Sequence, residues 1–352
     1  MINKRNWNLV KRYLQYRLHE DQISPSSLKI EETYLRYFIE WADSVHFSKV
    51  QSKIPTFPEY MRMARHDGKD GPLSAMHIKK ILSAARRMLF WLKENDKDSR
   101  TLKIDWINKM KTKRLTEIPQ TKEYVTYDEI IQIAWSPVKN TQERRIRAAL
   151  VFMYLTGIRV GAFVTLPIKA VDIGNRFVYQ YPSLGVHTKN NKSARTVIFP
   201  IKELIEIISN WDKEIRSVLP EDGYWFAPLS PETGDIDQNN LSSNDTRVAI
   251  VRKNSKEWLD KNGLTYHSPH KFRHGHVHYG QALSRTQEEY KAVSQNVMHS
   301  TTGITDQFYS NMDDLEKRAR LDSMFENKKE NNCTEEYQAF IQFLRWKDLN
   351  KK

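Results

Sequence analysis

His270, Arg273 and His274 fall within five consecutive residues, His-Lys-Phe-Arg-His, at the i, i+3 and i+4 spacing that puts side chains on one face of a helix. A guanidinium presents a planar fork of donors that matches two phosphate oxygens, and an imidazole changes charge near neutral pH. Converging on one point, the trio suits an anionic phosphate and a proton in transit. The same stretch holds His267, His276 and His278. His274 and His278 have the i, i+4 spacing of paired zinc ligands on a helix, but the carboxylate that accompanies such pairs in metalloproteases is missing, and no metal is expected. Taken alone, a surface helix that happens to be rich in histidine would read the same way.

Two more segments carry chemistry. In Thr156-Gly-Ile-Arg159-Val-Gly-Ala162, glycine ends one helix and the chain restarts at once, so Arg159 sits at a junction where it can point away from both cores. In Met298-His299-Ser-Thr-Thr-Gly-Ile-Thr-Asp-Gln-Phe-Tyr309, a tyrosine follows a histidine by ten residues. An isolated arginine is usually a surface residue and an isolated tyrosine a core or rim residue. The ordered set changes that weighing.

The elements that must hold these residues are mostly helical. Over the first 120 residues or so, apolar side chains recur at three- and four-residue steps. Leu9, Tyr13 and Tyr16 mark a first helix, and Tyr34, Leu35, Phe38, Trp41 and Ala42 a second that Ser26 or Ser27 can cap. A turn-rich patch, Asp67 to Pro72, leads to a helix from about Ser74 to Glu94. Its stripe is Ile78, Ile81, Leu82, Ala85, Leu89 and Leu92. The opposite face carries Lys79, Lys80, Arg86, Arg87 and Lys93, which could rest on phosphates or simply be solvated. A basic stretch from Lys103 to Arg114 ends at Pro119, where an inter-domain linker is expected.

Thr126-Tyr-Asp-Glu129 is a capping-box pattern that opens a second domain. A helix from about Thr141 to Thr156 ends at Gly157. Two β-prone runs, Phe177 to Tyr181 and Thr196 to Ile201, read as a hairpin with an extended tip. Helical patterns return at 204–215, 244–259, 270–283 and 287–298. The division expected is a helical domain over 1–118, a linker over 119–125, a mixed α+β domain over 126–330 and a helical tail over 331–352. In that tail Tyr337, Phe340, Ile341 and Leu344 share a face that could dock on a neighbouring subunit or pack on its own domain.

Bulk properties agree with this reading. At 352 residues the chain is long enough for two cores. Its formal charge of +13 and pI near 9.5 favour a polyanionic partner, since lysine and arginine gain affinity by displacing counterions from phosphate. The single cysteine, Cys333, excludes an intramolecular disulfide framework and a cysteine-cluster zinc site. No run approaches a membrane span and no signal-peptide core opens the chain. A cytoplasmic protein is expected, with no membrane partner.

In order, Arg159, His270-x-x-Arg273-His274, His299 and Tyr309 resemble the tyrosine recombinase (phage integrase) family. Thr-Gly-Ile-Arg159 is similar to the family's first arginine box, His270-Lys-Phe-Arg273-His274 to its second, and Val297-Met298-His299-Ser300 to its usual Leu-Gly-His-Ser. Phe308-Tyr309 is similar to its nucleophile. His187-Thr-Lys189-Asn-Asn-Lys192-Ser-Ala-Arg195-Thr-Val resembles its Thr-Lys-x-x-Lys-x-Arg-x-Val strand turn. That would make Lys189 the mobile catalytic lysine, with Lys192 the second choice because two extra residues separate Lys192 from Arg195. The chain departs from the pattern at Ala162, where an acidic residue is usual, and at Met298, where glycine is common.

The resemblance covers about residues 126 to 312 by motif, and residues 1–118 look like a DNA core-binding domain by pattern. It implies a mainly α fold: a helical N-terminal core-binding domain and a mixed α+β catalytic domain with a small antiparallel sheet. It implies a nucleoid-associated enzyme that cleaves and rejoins double-stranded DNA at specific sites through a 3′-phosphotyrosine and a Holliday junction. Neither metal, nucleotide nor other cofactor is required, because the phosphotyrosine conserves the energy of the cleaved bond. Self-association as a tetramer on two duplexes follows, with room for an accessory directionality factor. The rival readings are a type IB topoisomerase and a catalytically weak DNA-binding member.

Overall fold

The computed structural model describes residues 2–63, 72–111, 123–238 and 244–298. The turn at Asp67, the linker up to residue 122, His299, Tyr309 and the tail from 331 lie outside the described residues. The chain divides into two compact units, Met1–Gln120 and Thr121–Lys352. Among the described residues it is mostly helical with one small antiparallel sheet, and no helix is long and apolar enough to cross a membrane.

The first unit is built from α1 (Lys4–His19), α2 (Pro25–Ala42), α3 (Phe57–Met63), α4 (Ala75–Asn95) and α5 (Ile104–Lys109). Leu35, Phe38, Ile81, Met88 and Leu92 are among the side chains that pack into its core. The expected cap of α2 at Ser26 or Ser27 is corrected to Ser24, whose side chain accepts from the Ser27 N–H. Pro25 explains the shift: its fixed φ and missing N–H suit the first helical position, so the cap falls one residue earlier. Within the core, buried Glu31 accepts from the Tyr13 hydroxyl at 2.9 Å and from Arg17 and Arg87 at 3.3 and 3.0 Å. A buried carboxylate needs such partners to remain charged.

In the second unit, α6 (Tyr127–Trp135) starts with the capping box expected at Thr126 and Glu129. Next comes α7 (Thr141–Thr156), which is buried along most of its length and forms the centre of the core. A left-handed Gly157 closes it, and the four-residue α8 (Val160–Phe163) begins three residues later. Strands β1 (Val171–Asp172), β2 (Phe177–Gln180) and β3 (Ala194–Val197) form the sheet in that order, with Val171 opposite Val178 and Tyr179 opposite Arg195. The third strand is therefore shorter than the expected run to Ile201. After Val197 the chain leaves β2: the Ile198 N–H donates to the Arg176 carbonyl and the Phe199 N–H to the Leu155 carbonyl at the end of α7, and Pro200 has no N–H to continue a ladder.

Four helices complete this unit: α9 (Lys202–Arg216), α10 (Asn244–Lys261), α11 (Pro269–Leu283) and α12 (Gln287–Asn296). Buried Arg247 ties α10 to the end of α8. It donates to the Val164 carbonyl at 2.9 Å and the Phe226 carbonyl at 2.6 Å, with its guanidinium 4.0 Å from the Tyr224 ring centre. Glycine at position 275 lets α11 approach Val125, because a Cβ there would stand 2.1 Å from the Val125 carbonyl oxygen.

Candidate active site

Three of the chemistry-bearing residues come together. Arg159, Lys189 and His270 line one cavity of about 470 Å³, with Gly161, Ala162, His187, Thr188 and Arg252. Each arrives on a different element: Arg159 as the residue before α8, Lys189 on the loop between β2 and β3, His270 in the first turn of α11. Gly157 makes the first placement possible. Its φ is +60°, and a Cβ there would come within 2.7 Å of both His276 and Val297, so a side chain would meet strain and a clash together. The loop carrying Lys189 is fastened to α8 by the His187 N–H, which donates to the Thr165 hydroxyl at 2.9 Å. Asn190 and Asn191 then turn it with φ of 60° and 51°, a conformation asparagine tolerates. Lys192 is exposed and is not part of the cavity lining.

Arg273 is placed differently from the expectation of one convergent face. It is only 2% exposed, and its guanidinium donates to the carbonyls of Gly157 and Val297. Position i+3 on α11 turns inward because the helix packs against α7, so the arginine sits beneath the turn that presents Arg159. Its two carbonyl partners fix the plane of its fork. Val297 is followed by Met298, at φ +56°, whose sulfur lies 3.9 Å from an Arg159 Nη. Thus the segment leading to His299 touches both arginines.

The histidines separate by environment. His270 lies edge-on to His274, ring centres 4.5 Å apart. Partial burial, then the nearby charges of Arg273, Arg159 and Lys271, hold its pKa below the ordinary imidazole value, so it is neutral at pH 7 and able to accept a proton. His276 is fully buried, stacked 3.8 Å from Phe199, with Nδ1 2.8 Å from the Tyr154 carbonyl and Nε2 3.2 Å from the Asn296 amide. Burial pushes its pKa down to about 3. His267 pairs with Glu129 at 2.8 Å and His278 stacks on Tyr124 at 4.0 Å. His274 and His278 thus face separate neighbours. Among the described residues no group of three metal-ligating side chains is assembled.

No carboxylate stands among the described residues that line the cavity, and buried Ala162 occupies the place where the resemblance implies an acid. The three cations and two imidazoles among these described lining residues suit a phosphate-bearing ligand. Sequence reading missed His187, Arg252 and the positioning Thr165. Arg252 stands on α10 some 18 residues before His270, and nothing in local spacing connects the two.

Residues 123–316 match the model of the phage integrase family. This chain is a member of that family, the tyrosine recombinases. It is 26% identical over 308 residues to tyrosine recombinase XerC of Shigella flexneri, and equally to that of Escherichia coli O157:H7, covering 86% of this chain and 91% of theirs. In fold it is similar to a lambda integrase dimer bound to a COC′ core site, with TM-score 0.57, 14% identity and coverage of 86% of this chain and 76% of that one. It is likewise similar to the Tn1549 transposon integrase in complex with circular intermediate DNA, with TM-score 0.58, 14% identity and coverage of 90% and 98%.

Proposed function

We propose that this tyrosine recombinase cuts and rejoins double-stranded DNA at specific sites, with Tyr309 as nucleophile. The observation that carries the reading is the cavity that gathers Arg159, Lys189 and His270, followed in sequence by His299 and Tyr309 within the family match. The Tyr309 phenol oxygen attacks the scissile phosphorus and the bond to the 5′ oxygen breaks, leaving a 3′-phosphotyrosine. His270, neutral at pH 7, takes the phenolic proton. Lys189 gives a proton to the departing 5′ oxygen. Arg159 and Arg273 stabilise charge on the non-bridging oxygens, and His299 adds a hydrogen bond. In the second half the 5′ hydroxyl of another strand attacks the phosphotyrosine and the same groups run in reverse.

The rest of the assembly is what membership of the family implies. Exchange between two sites passes through a Holliday junction and uses a tetramer on two duplexes, with the helical first unit gripping the DNA beside the cleavage point. The helical pattern at 331–352 would dock on a neighbouring copy or pack on its own domain, and an accessory factor would set direction. The working place is the cytoplasm, on nucleoid or element DNA. Tyr309→Phe keeps the ring and removes the attacking oxygen, so it is expected to bind DNA normally and form no covalent adduct with a nicked suicide duplex. An adduct that persists in a denaturing gel with this variant would remove Tyr309 from the role.

A further inference from the structure

Among the described residues that line the cavity, Arg252 is the one cation to which the reaction above gives no task. An exposed arginine on a helix is ordinarily a solvated surface residue, and three features set this one apart. First, its position is fixed from below: on the other face of α10, Arg247 binds the Val164 carbonyl at the end of α8, and Val251 and Ser255 are fully buried. Arg252 is thereby held over the same turn that begins with Arg159. Second, no ion pair holds it among the described residues. The carboxylate near it on α10, Glu257, lies 3.9 Å from Lys253 instead. Third, the cavity it lines, at about 470 Å³, is in the size range that encloses a drug-sized ligand, far more than one phosphate group fills.

We propose that Arg252 holds the phosphate next to the scissile one on the cleaved strand, and so fixes the register of the DNA over the nucleophile. The inference rests on the recombinase reading and adds a substrate contact to it. In the mechanism proposed above the scissile phosphate is assigned to Arg159 and Arg273, which leaves Arg252 for another anion. Successive phosphates of a strand rise about 3.4 Å along the duplex axis, so the neighbouring phosphate falls within a cavity of this extent. A guanidinium from a separate helix, with no acid beside it among the described residues, suits that second anion.

The test is single-turnover cleavage of nicked suicide duplexes in which each phosphate around the cleavage point is replaced in turn by a neutral methylphosphonate. On unmodified DNA, Arg252→Gln is expected to slow adduct formation about 10- to 100-fold, the effect of one lost charge-assisted hydrogen bond. Its melting temperature should not change, and Arg252→Lys should recover part of the rate. At one position adjoining the scissile phosphate, the methylphosphonate should slow the wild type by a similar factor and Arg252→Gln no further. A variant as fast as wild type, losses that multiply at every position, or non-additivity confined to the scissile phosphate would each overturn the assignment. Absence of any adduct with the wild-type protein overturns the recombinase reading itself, and this inference with it; an adduct without the expected coupling overturns the inference alone.

Discussion

The basic face of α4 and the basic cavity of the second unit look alike as composition and behave differently as structure. On α4, the Arg86 guanidinium donates to Asn108 at 3.1 Å, Arg87 to buried Glu31 at 3.0 Å, and the Lys93 ammonium to the carbonyls of Arg100 and Leu102, both at 2.8 Å. These three hold the first unit together. Lys79 and Lys80 are exposed on the same face without such contacts among the described residues. Arg159, Lys189 and Arg252 line one cavity, with no carboxylate among its described lining residues. On the recombinase reading, a basic residue engaged by the fold's own acceptors is less available to DNA than one that faces an open cavity.

The largest effect expected from this contrast falls on Lys189. A general acid contributes about 10²- to 10⁴-fold, because the 5′ alkoxide leaves poorly without a proton. Lys189→Ala should therefore cleave ordinary DNA very slowly. A 5′-bridging phosphorothioate leaves as a thiolate of much lower pKa and should restore a near-normal rate. Lys192→Ala, outside the cavity lining, should be mildly impaired on both substrates. If the rescue appears for Lys192→Ala instead, the general acid lies three residues further along the loop. If neither variant is rescued, the proton comes from another group.

The same contrast divides two histidines of α11. His270 opens to the cavity and its pKa lies below the usual value of about 6.5, so its base form persists to lower pH. The acid limb of kcat/KM for cleavage should lie below that value and disappear in a His270 variant. His276 serves the fold. Its folded pKa of about 3 lies under the unfolded one, so between these values the unfolded chain binds a proton that the folded chain does not. Its contribution is complete above about pH 6.5 and declines as pH falls toward 3, by up to ~1.4 kcal/mol per unit. Thermal melts across that range should drop for the wild type. His276→Gln, less stable at pH 7.5, should follow a shallower slope; equal slopes would show that other groups control the acid transition.

Much of this was legible in the sequence, for reasons tied to particular residues. Local signals worked where a local cause decides the structure: the Thr126–Glu129 capping box, Gly157 ending α7, the apolar stripe of α4. The strand expected to reach Ile201 stops at Val197 because Phe199 pairs with the end of α7, a partner more than forty residues away. Periodicity put His270 and Arg273 on one helical face, yet could not foresee that packing on α7 would draw Arg273 beneath the surface and leave His270 above it. Arg252 and Thr165 had no signal at all. Each acquires a role only when α10, α8 and the β2–β3 loop meet around one cavity.

The smallest effects belong to α4, and they bear most directly on the comparison. Arg87→Ala removes one of the partners of buried Glu31, but Arg17 and Tyr13 remain and the Arg87 side chain is about half exposed, so the cost should be about 1 kcal/mol. Its signature is a lower melting temperature with the salt dependence of DNA binding unchanged. Lys79→Ala and Lys80→Ala should do the reverse, leaving the melt unaltered and lowering the slope of log K against log salt by about one each. Affinity should fall alike on specific and nonspecific duplexes, because a phosphate contact carries no base information. A reduced salt slope for Arg87→Ala at unchanged stability would mean that an arginine can brace the core and grip DNA at once. The division between engaged and unengaged cations would then fail on α4, and exposure rather than pairing would become the better guide to which basic residues meet the duplex.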